Sequence, residues 1–346
     1  MKIKNIVTGV LLLVLTVPVS VSAHHSFVGF YDQSQIVEIE GIVTAISWRN
    51  PHASMRVNVT DESGQTVEWQ IETGSISVLR VRGVTPEFLG IGDRVRIAGE
   101  PSLRTSTGLY ARNMLLESGE EVLLSIGIAP RWSDTGDSEL IEPEFDNAVA
   151  SEARQNAEGI FRVWTTVLDD PNSFPLFKGR YPMTEFAQLA KSQWDAGDIV
   201  QLGCEPKGMP SLMITPYPFE FVQQGENILI RFEEDNAQRL ILMNADTEPS
   251  AANRSLLGYS VGNWDGDTLV VETSGVSAQN LDYEGTPQSE NARFIERFTV
   301  SDDGGRLDYR IRIVDPENFT EEFELTRYLI WQPALVVNPY DCVVVE

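Results

Sequence analysis

The chain reads as a mainly β protein: a small OB-like barrel, a short helical strap, and a larger antiparallel β-meander that forms a barrel or curled sheet. Three observations predict this. Apolar residues alternate around a turn near residue 62. The front segment as a whole runs in the order strand, strand, strand, helix, strand, strand. From Ile228 onward, alternating segments recur with Gly and Asp turn signals between them. The 346 residues include 26 Lys and Arg against 51 Asp and Glu, a formal charge of −25. Such a surface repels phosphate backbones, so no nucleic-acid partner is expected. A hydrophobic content of 42% supplies real cores and excludes whole-chain disorder.

Residues 1–23 have the pattern of a signal peptide: Lys2 and Lys4, an apolar run from Ile6 to Val17, and the small residues Val21-Ser22-Ala23. Pro18 and the neighbouring serines argue against a retained anchor. No later segment is apolar for long enough to span a bilayer. The expected location is periplasmic or secreted, and cleavage deepens the negative charge by two lysines. In that setting Cys204 and Cys342 read as a disulfide, with two buried free thiols as the alternative.

The front domain is expected over 24–130. Its first strand runs from Ile36 to Ile46, with Gly41 as a bulge or bend. Met55, Val57 and Val59, then Val67, Trp69 and Ile71, flank Asp61-Glu62-Ser63-Gly64 as a hairpin. A short helix over Ser75 to Arg82 stops at Gly83. Strands at Arg94 to Ala98 and Leu109 to Leu116 complete the OB-type order. Residues 131–203 read as an acidic linker and strap. Ser133 to Glu139 lacks an apolar period. A helix from Thr184 to about Trp194 places Phe186, Leu189 and Ala190 on one face. The meander is expected over 204–346, after a proline-rich strap from Cys204 to Pro218, with Leu307, Tyr309, Ile311 and Ile313 facing inward. No Gly-rich phosphate loop and no βαβ alternation occurs, so no nucleotide cofactor is expected.

The three histidines, His24, His25 and His52, all lie in the front domain. Cleavage after Ala23 would give His24 a free amine beside its imidazole, with His25 adjacent and His52 at a barrel rim. Nitrogen-rich donors favour Cu(II) among first-row divalent metals. In outline the set resembles the N-terminal histidine copper sites of lytic polysaccharide monooxygenases and of periplasmic copper carriers, over those three residues alone. The alternative is a polar terminus at His24 and His25 and a turn residue at His52, its ring capping a backbone carbonyl. Trp264, Asp265 and Asp267, within Asn263 to Thr268, form either a ligand cluster or a hairpin turn chosen for its backbone angles, and the turn is preferred. Glu296 and Arg297 form either an ion pair inside the barrel or, preferred, an exposed strand-face pair.

His24-His25-Ser26-Phe27, Gly41-Ile42-Val43, Asn50-Pro51-His52 and Gly92-Asp93-Arg94-Val95 resemble a domain of unknown function found in exported bacterial proteins. Cys204 to Pro210 and Gly262 to Thr273 are similar to a module that accompanies it, except that Tyr259 stands where that module has a histidine. The resemblance carries no established activity. The leading functional expectation is an exported protein that binds a small apolar or aromatic molecule in the C-terminal β domain, with a copper site at the front. An extracytoplasmic enzyme, either a copper-assisted oxidase or a carboxylate-driven lyase or hydrolase, and an envelope interaction module are the alternatives.

Overall fold

A computed structural model describes residues 30–133, 139–140, 146–174, 181–194, 204–245, 254–282 and 284–343. The leader 1–23, the metal candidates His24 and His25, and the acidic run 134–138 lie outside these residues.

The first barrel is made of β1 (Val37–Ser47), β2 (Ser54–Thr60), β3 (Thr66–Glu72), α1 (Ile76–Val81), β4 (Arg94–Pro101) and β5 (Gly108–Leu116). Neighbours pair antiparallel in the order β3-β2-β1-β4-β5, and a parallel β3–β5 contact closes the ring. This is the expected OB-type connectivity. Alternation decides the faces. Val57, Ile71, Val95 and Ile97 point inward and are buried. The register shift of β1 against β2 falls between Val43 and Ala45, not at Gly41. Gly41 serves close approach instead, because a Cβ there would strike the Asn58 carbonyl. α1 starts at Ser75, whose hydroxyl accepts the Val78 N–H at 3.3 Å, and it lowers Leu79 into the barrel core.

Past this ring, β6 (Glu120–Leu123) extends β5, and β7 (Glu139–Leu140) pairs parallel with β6. Glu121 is fully buried. It accepts from Asn113 and from the backbone N–H groups of Arg131, Trp132 and Ser133 at 2.6–2.9 Å. Burial pushes its pKa up, but these donors outweigh burial and hold it below the usual range. The expected acidic excursion also contains a helix, α2 (Asn147–Asn156), capped by Asp146. Only Ala150 is buried on it, so its apolar stripe is too thin to show as a period. After it comes β8 (Val163–Thr165), with Trp164 fully buried, and then α3 (Glu185–Gln193). The apolar face expected on α3 points away from the core, with Phe186 68% and Leu189 58% exposed. Backbone contacts of Met183 and Thr184 with Phe319 and Asn318 set the helix so that Ala187 goes inward. On the same stripe Lys191 reaches Glu284 and Thr286.

The second barrel adds β9 (Phe219–Gln224), β10 (Asn227–Phe232), β11 (Gln238–Met243), β12 (Tyr259–Asp265), β13 (Thr268–Ser274), β14 (Arg293–Val300), β15 (Arg306–Val314) and β16 (Phe323–Trp331). It closes in the order β10-β11-β12-β13-β14-β15-β16-β8-β9, so β8, from well upstream of residue 204, is one of its nine staves. The expected antiparallel meander holds except at β11–β12, which is parallel. Leu307, Tyr309, Ile311 and Ile313 face inward as expected, among Phe219, Phe221, Phe294 and Phe298.

The ion pair inside this barrel is not Glu296 with Arg297. Glu296 faces in and binds Arg239 of β11 through both guanidinium Nη atoms. Arg239 also donates to Ser260 at 3.0 Å and Thr273 at 2.6 Å, while Tyr309 donates to Glu296 at 2.9 Å. Arg297, one residue on, necessarily faces out. There it meets Asp265 at 2.8 Å. The Cys204–Cys342 disulfide is formed, across a sequence separation of 138 residues. Closing so long a loop stabilises the fold by about 5 kcal/mol in the chain-entropy account. No helix among the described residues is long and apolar enough to cross a membrane.

The buried pair generates a prediction. Arg239→Met leaves a charged Glu296 without its counter-ion, and urea unfolding should show a loss of about 3–5 kcal/mol. Arg239→Met combined with Glu296→Leu removes both charges and should recover most of that loss. Additive losses in the double variant would contradict the account.

Candidate functional site

The only described histidine stands where β2 begins, just after Asn50-Pro51. Cross-strand pairing puts Ser54 opposite Glu72, so the end of β3 lies beside His52. The His52 Nδ1 contacts Glu72 Oε1, and the other Glu72 oxygen accepts from the Tyr31 hydroxyl at 2.5 Å. A carboxylate on Nδ1 fixes the ring orientation and turns Nε2 into the working nitrogen. Tyr110 of β5 packs under both partners, its ring 5.5 Å from that of Tyr31 and edge-on to His52 at 6.2 Å. The Tyr110 hydroxyl meets Ser125 Oγ at 3.2 Å.

This group borders a cleft of about 710 Å³ between the two barrels. His52, Gly74, Val78, Tyr110 and 125–127 form one wall. Leu168, Asp169, Pro171, Phe174, Pro216 and Tyr217 form the other. Ion pairs and hydrogen bonds fix the gap. Asp169 takes both Arg82 Nη atoms at 2.7 Å and the Gly127 N–H at 3.1 Å. Glu233, buried at the start of the loop after β10, receives Ser77 and Arg80 from α1 and the Asn338 N–H at 3.0 Å. Backbone bonds from Asn50 to Asp341 and from Val343 to Asn50 tie the chain's last described residues to the segment carrying His52.

The phenols here are neutral groups. Burial, chiefly, pushes the Tyr110 pKa up to about 12. Burial, then the charge of Glu72, raises Tyr31 far beyond the ordinary range. Tyr217 is raised by burial and then by Glu234, the buried partner of Lys207. The cleft is therefore lined by apolar side chains, by the tyrosines Tyr110 and Tyr217, by one oriented imidazole and by Asp169, whose carboxylate is paired with Arg82.

Among the sequence candidates, His52 lines this cleft, and His24 and His25 lie outside the described residues. Trp264, Asp265 and Asp267 do not line it. Asp265 pairs with Thr268 across a two-residue hairpin turn in which Gly266 has φ 60°, the preferred turn reading. Among the described residues, no group of three or more His, Cys, Asp or Glu is arranged to hold a metal. Glu72, Tyr31, Tyr110 and Tyr217 also belong to the site and carry no signal in the sequence. Glu72 sits on the polar face of an alternating strand and looks like any solvated acid, and nothing local marks the tyrosines.

Residues 12–110 match a family of unknown function, DUF6152. The match takes in His24, His25, His52, Glu72 and Tyr110 and leaves out the second barrel. No curated protein matches the chain.

Tyr110 gives a pH test. Its folded pKa of about 12 lies above the ordinary 10.0, so its contribution is fully present below pH 10. Between pH 10 and 12 the unfolded chain gives up this proton before the native one does, and stability falls. Unfolding midpoints over that range should decline less steeply in Tyr110→Phe than in the parent. An identical decline would mean that Tyr110 ionises normally.

Proposed function

We propose that this is an exported binding protein whose ligand, a small apolar or aromatic molecule with one polar group, occupies the cleft between the barrels. The cleft itself carries the reading. Its volume of about 710 Å³ falls within the size of small-molecule sites, and such sites favour domain junctions with apolar walls and few polar groups. The sequence alone points to a ligand inside the C-terminal β domain. That interior holds Phe221, Phe298, Tyr309 and the Arg239–Glu296 pair, so the junction is the better seat. His52, Tyr110 and Ser125 would address the ligand's polar group, with Phe174 and Leu168 against its body. Support for export comes from the pattern of residues 1–23.

A second reading, that His52 joins His24 and His25 around Cu(II), draws support from Glu72. A carboxylate on Nδ1 is the usual partner of a metal-ligating histidine. Tyr31 is pinned to the same carboxylate, and the six residue steps from His25 to Tyr31 reach about 20 Å when extended, enough for His25 to meet His52.

Two measurements decide between these readings. Saturation-transfer NMR with 2-naphthol should show binding that Phe174→Ala and the cleft-filling Ile126→Trp each weaken by about tenfold. Signals unchanged in both variants, or no binding at all, would remove the cleft proposal. For the metal, Cu(II) titration of protein carrying its processed N-terminus should lose its tightest step in His52→Ala. An isotherm indifferent to that change would remove His52 from any copper site.

A further inference from the structure

A second hollow, of about 830 Å³, lies on the outward face of β13–β16. The outside of a barrel is convex, so a hollow there needs an added wall. The loop after β8 supplies it. Asp170 accepts the Tyr328 hydroxyl, Ser173 Oγ donates to the Tyr328 carbonyl at 2.8 Å, and the Tyr328 N–H donates to Asn172 at 3.3 Å.

The register specifies what faces this space. One rung across the strands runs Thr268, Thr299, Asp308, Tyr328. The next outward-facing rung sets Arg297 directly opposite Arg310, followed by Thr326. Like charges in directly opposed positions destabilise a sheet. In a chain with nearly twice as many acids as bases, two guanidiniums without an acid between them run against the composition. Each finds its carboxylate to one side: Arg297 on Asp265 at 2.8 Å, Arg310 on Glu324 at 3.1 Å. Each of these contacts uses one Nη atom of a group with five N–H donors, so donors remain for the space between them. A third guanidinium, Arg306, lies 4.3 Å over the Tyr328 ring and binds Asp308. From the tip of the β12–β13 hairpin, Asp265 of the polar-aromatic cluster thus steadies Arg297 at the rim.

We infer that this hollow binds a polyhydroxylated carboxylate, a sugar acid of the uronate type, within an acidic oligosaccharide. Opposed guanidiniums match a carboxylate placed between them, because their planar forks pair with its two oxygens. Thr268, Thr299 and Thr326 supply hydroxyls, and Asp308 supplies an acceptor for ligand hydroxyls, a lining that an inorganic anion does not need. The volume admits more than one ring. This inference is independent of the cleft between the barrels, which shares only Pro171 with the hollow.

The test is calorimetry on the full chain with trigalacturonate, with a neutral galactose trisaccharide and with inorganic phosphate, at about 0.15 M salt, where the chain's overall negative charge is screened beyond roughly 8 Å. Trigalacturonate should bind. The neutral sugar and phosphate should bind at least about tenfold more weakly, and Arg297→Gln with Arg310→Gln should weaken trigalacturonate by about tenfold or more. Both arginines are exposed, so the variant should keep the parent's thermal midpoint. Thr326→Trp, which fills the hollow and keeps both charges, should also weaken binding. Absence of binding, equal binding of the neutral sugar, phosphate binding as tight as the oligomer, or affinity unchanged in both variants would each overturn the inference.

Discussion

Among the contacts that join the two barrels, one buried carboxylate takes donors from both sides. Glu233 belongs to the second barrel, yet Ser77 and Arg80 of the first barrel's short helix occupy one of its oxygens and Asn338 the other. At 1% exposure it cannot fall back on water. If α1 moved away, a buried charge would lose its donors, and that cost is steep in a low-dielectric setting. The arrangement therefore resists small displacements between the barrels. Everything that depends on their separation inherits that resistance, above all the cleft between Tyr110 and Tyr217. The Arg82–Asp169 pair and the Asn50 contacts with the chain's end act in the same direction from other sides.

The same logic recurs inside each unit. Although acids outnumber bases almost two to one, few go inside, and one fully buried acid in each unit is well supplied. Glu121 draws on three successive backbone N–H groups and thereby fixes the segment that leaves the first barrel. Glu296 draws on Arg239 and Tyr309 at the centre of the second. Neither arrangement need add net stability over an apolar core. Both make alternative packings expensive, since any other register strands a charge.

These buried acids also explain which parts of the fold could be read from the sequence. β2, β3, β10 and β15 alternate cleanly because their inward positions are aliphatic or aromatic, and the expected strands are there. β12 gave no signal. Its inward residues are Ser260, which receives Arg239, and Gly262, where a Cβ would strike Ile241 and Met243. The polar pattern of that strand is a consequence of the ion pair it accommodates, and that partner is not visible locally. The true partner of Glu296 is hidden for the same reason: Arg297 is its neighbour in sequence, but strand pleating sends the two to opposite faces, and Arg239 lies on another strand. On α3, Phe186 and Leu189 made the obvious apolar stripe, whereas the contacts of Lys191 and the pinned Thr184 decided the orientation. His52 was legible as a rare residue type beside a turn. Its partner Glu72 and the facing wall at Phe174 and Tyr217 were not, because the site is assembled from segments far apart in the chain.

Loop 168–174 shows how one short segment can wall two spaces without belonging fully to either barrel. Leu168, Asp169 and Phe174 face the cleft, while Asp170 and Asn172 face the arginine hollow. Such a loop is useful as a wall only if it is held on both sides. Asp169 is fixed by Arg82 of the first barrel, and Asp170 by Tyr328 of the second. Tyr328 presses on Asp170 strongly enough to hold that carboxyl below its ordinary range, mainly through their hydrogen bond. Between them Ser173 closes a small turn by accepting the Val167 N–H and donating to the Tyr328 carbonyl. Successive acidic residues thus point to opposite sides and find opposite partners. Ordering this loop in advance means that a ligand entering either space need not meet the entropic cost of fixing its wall.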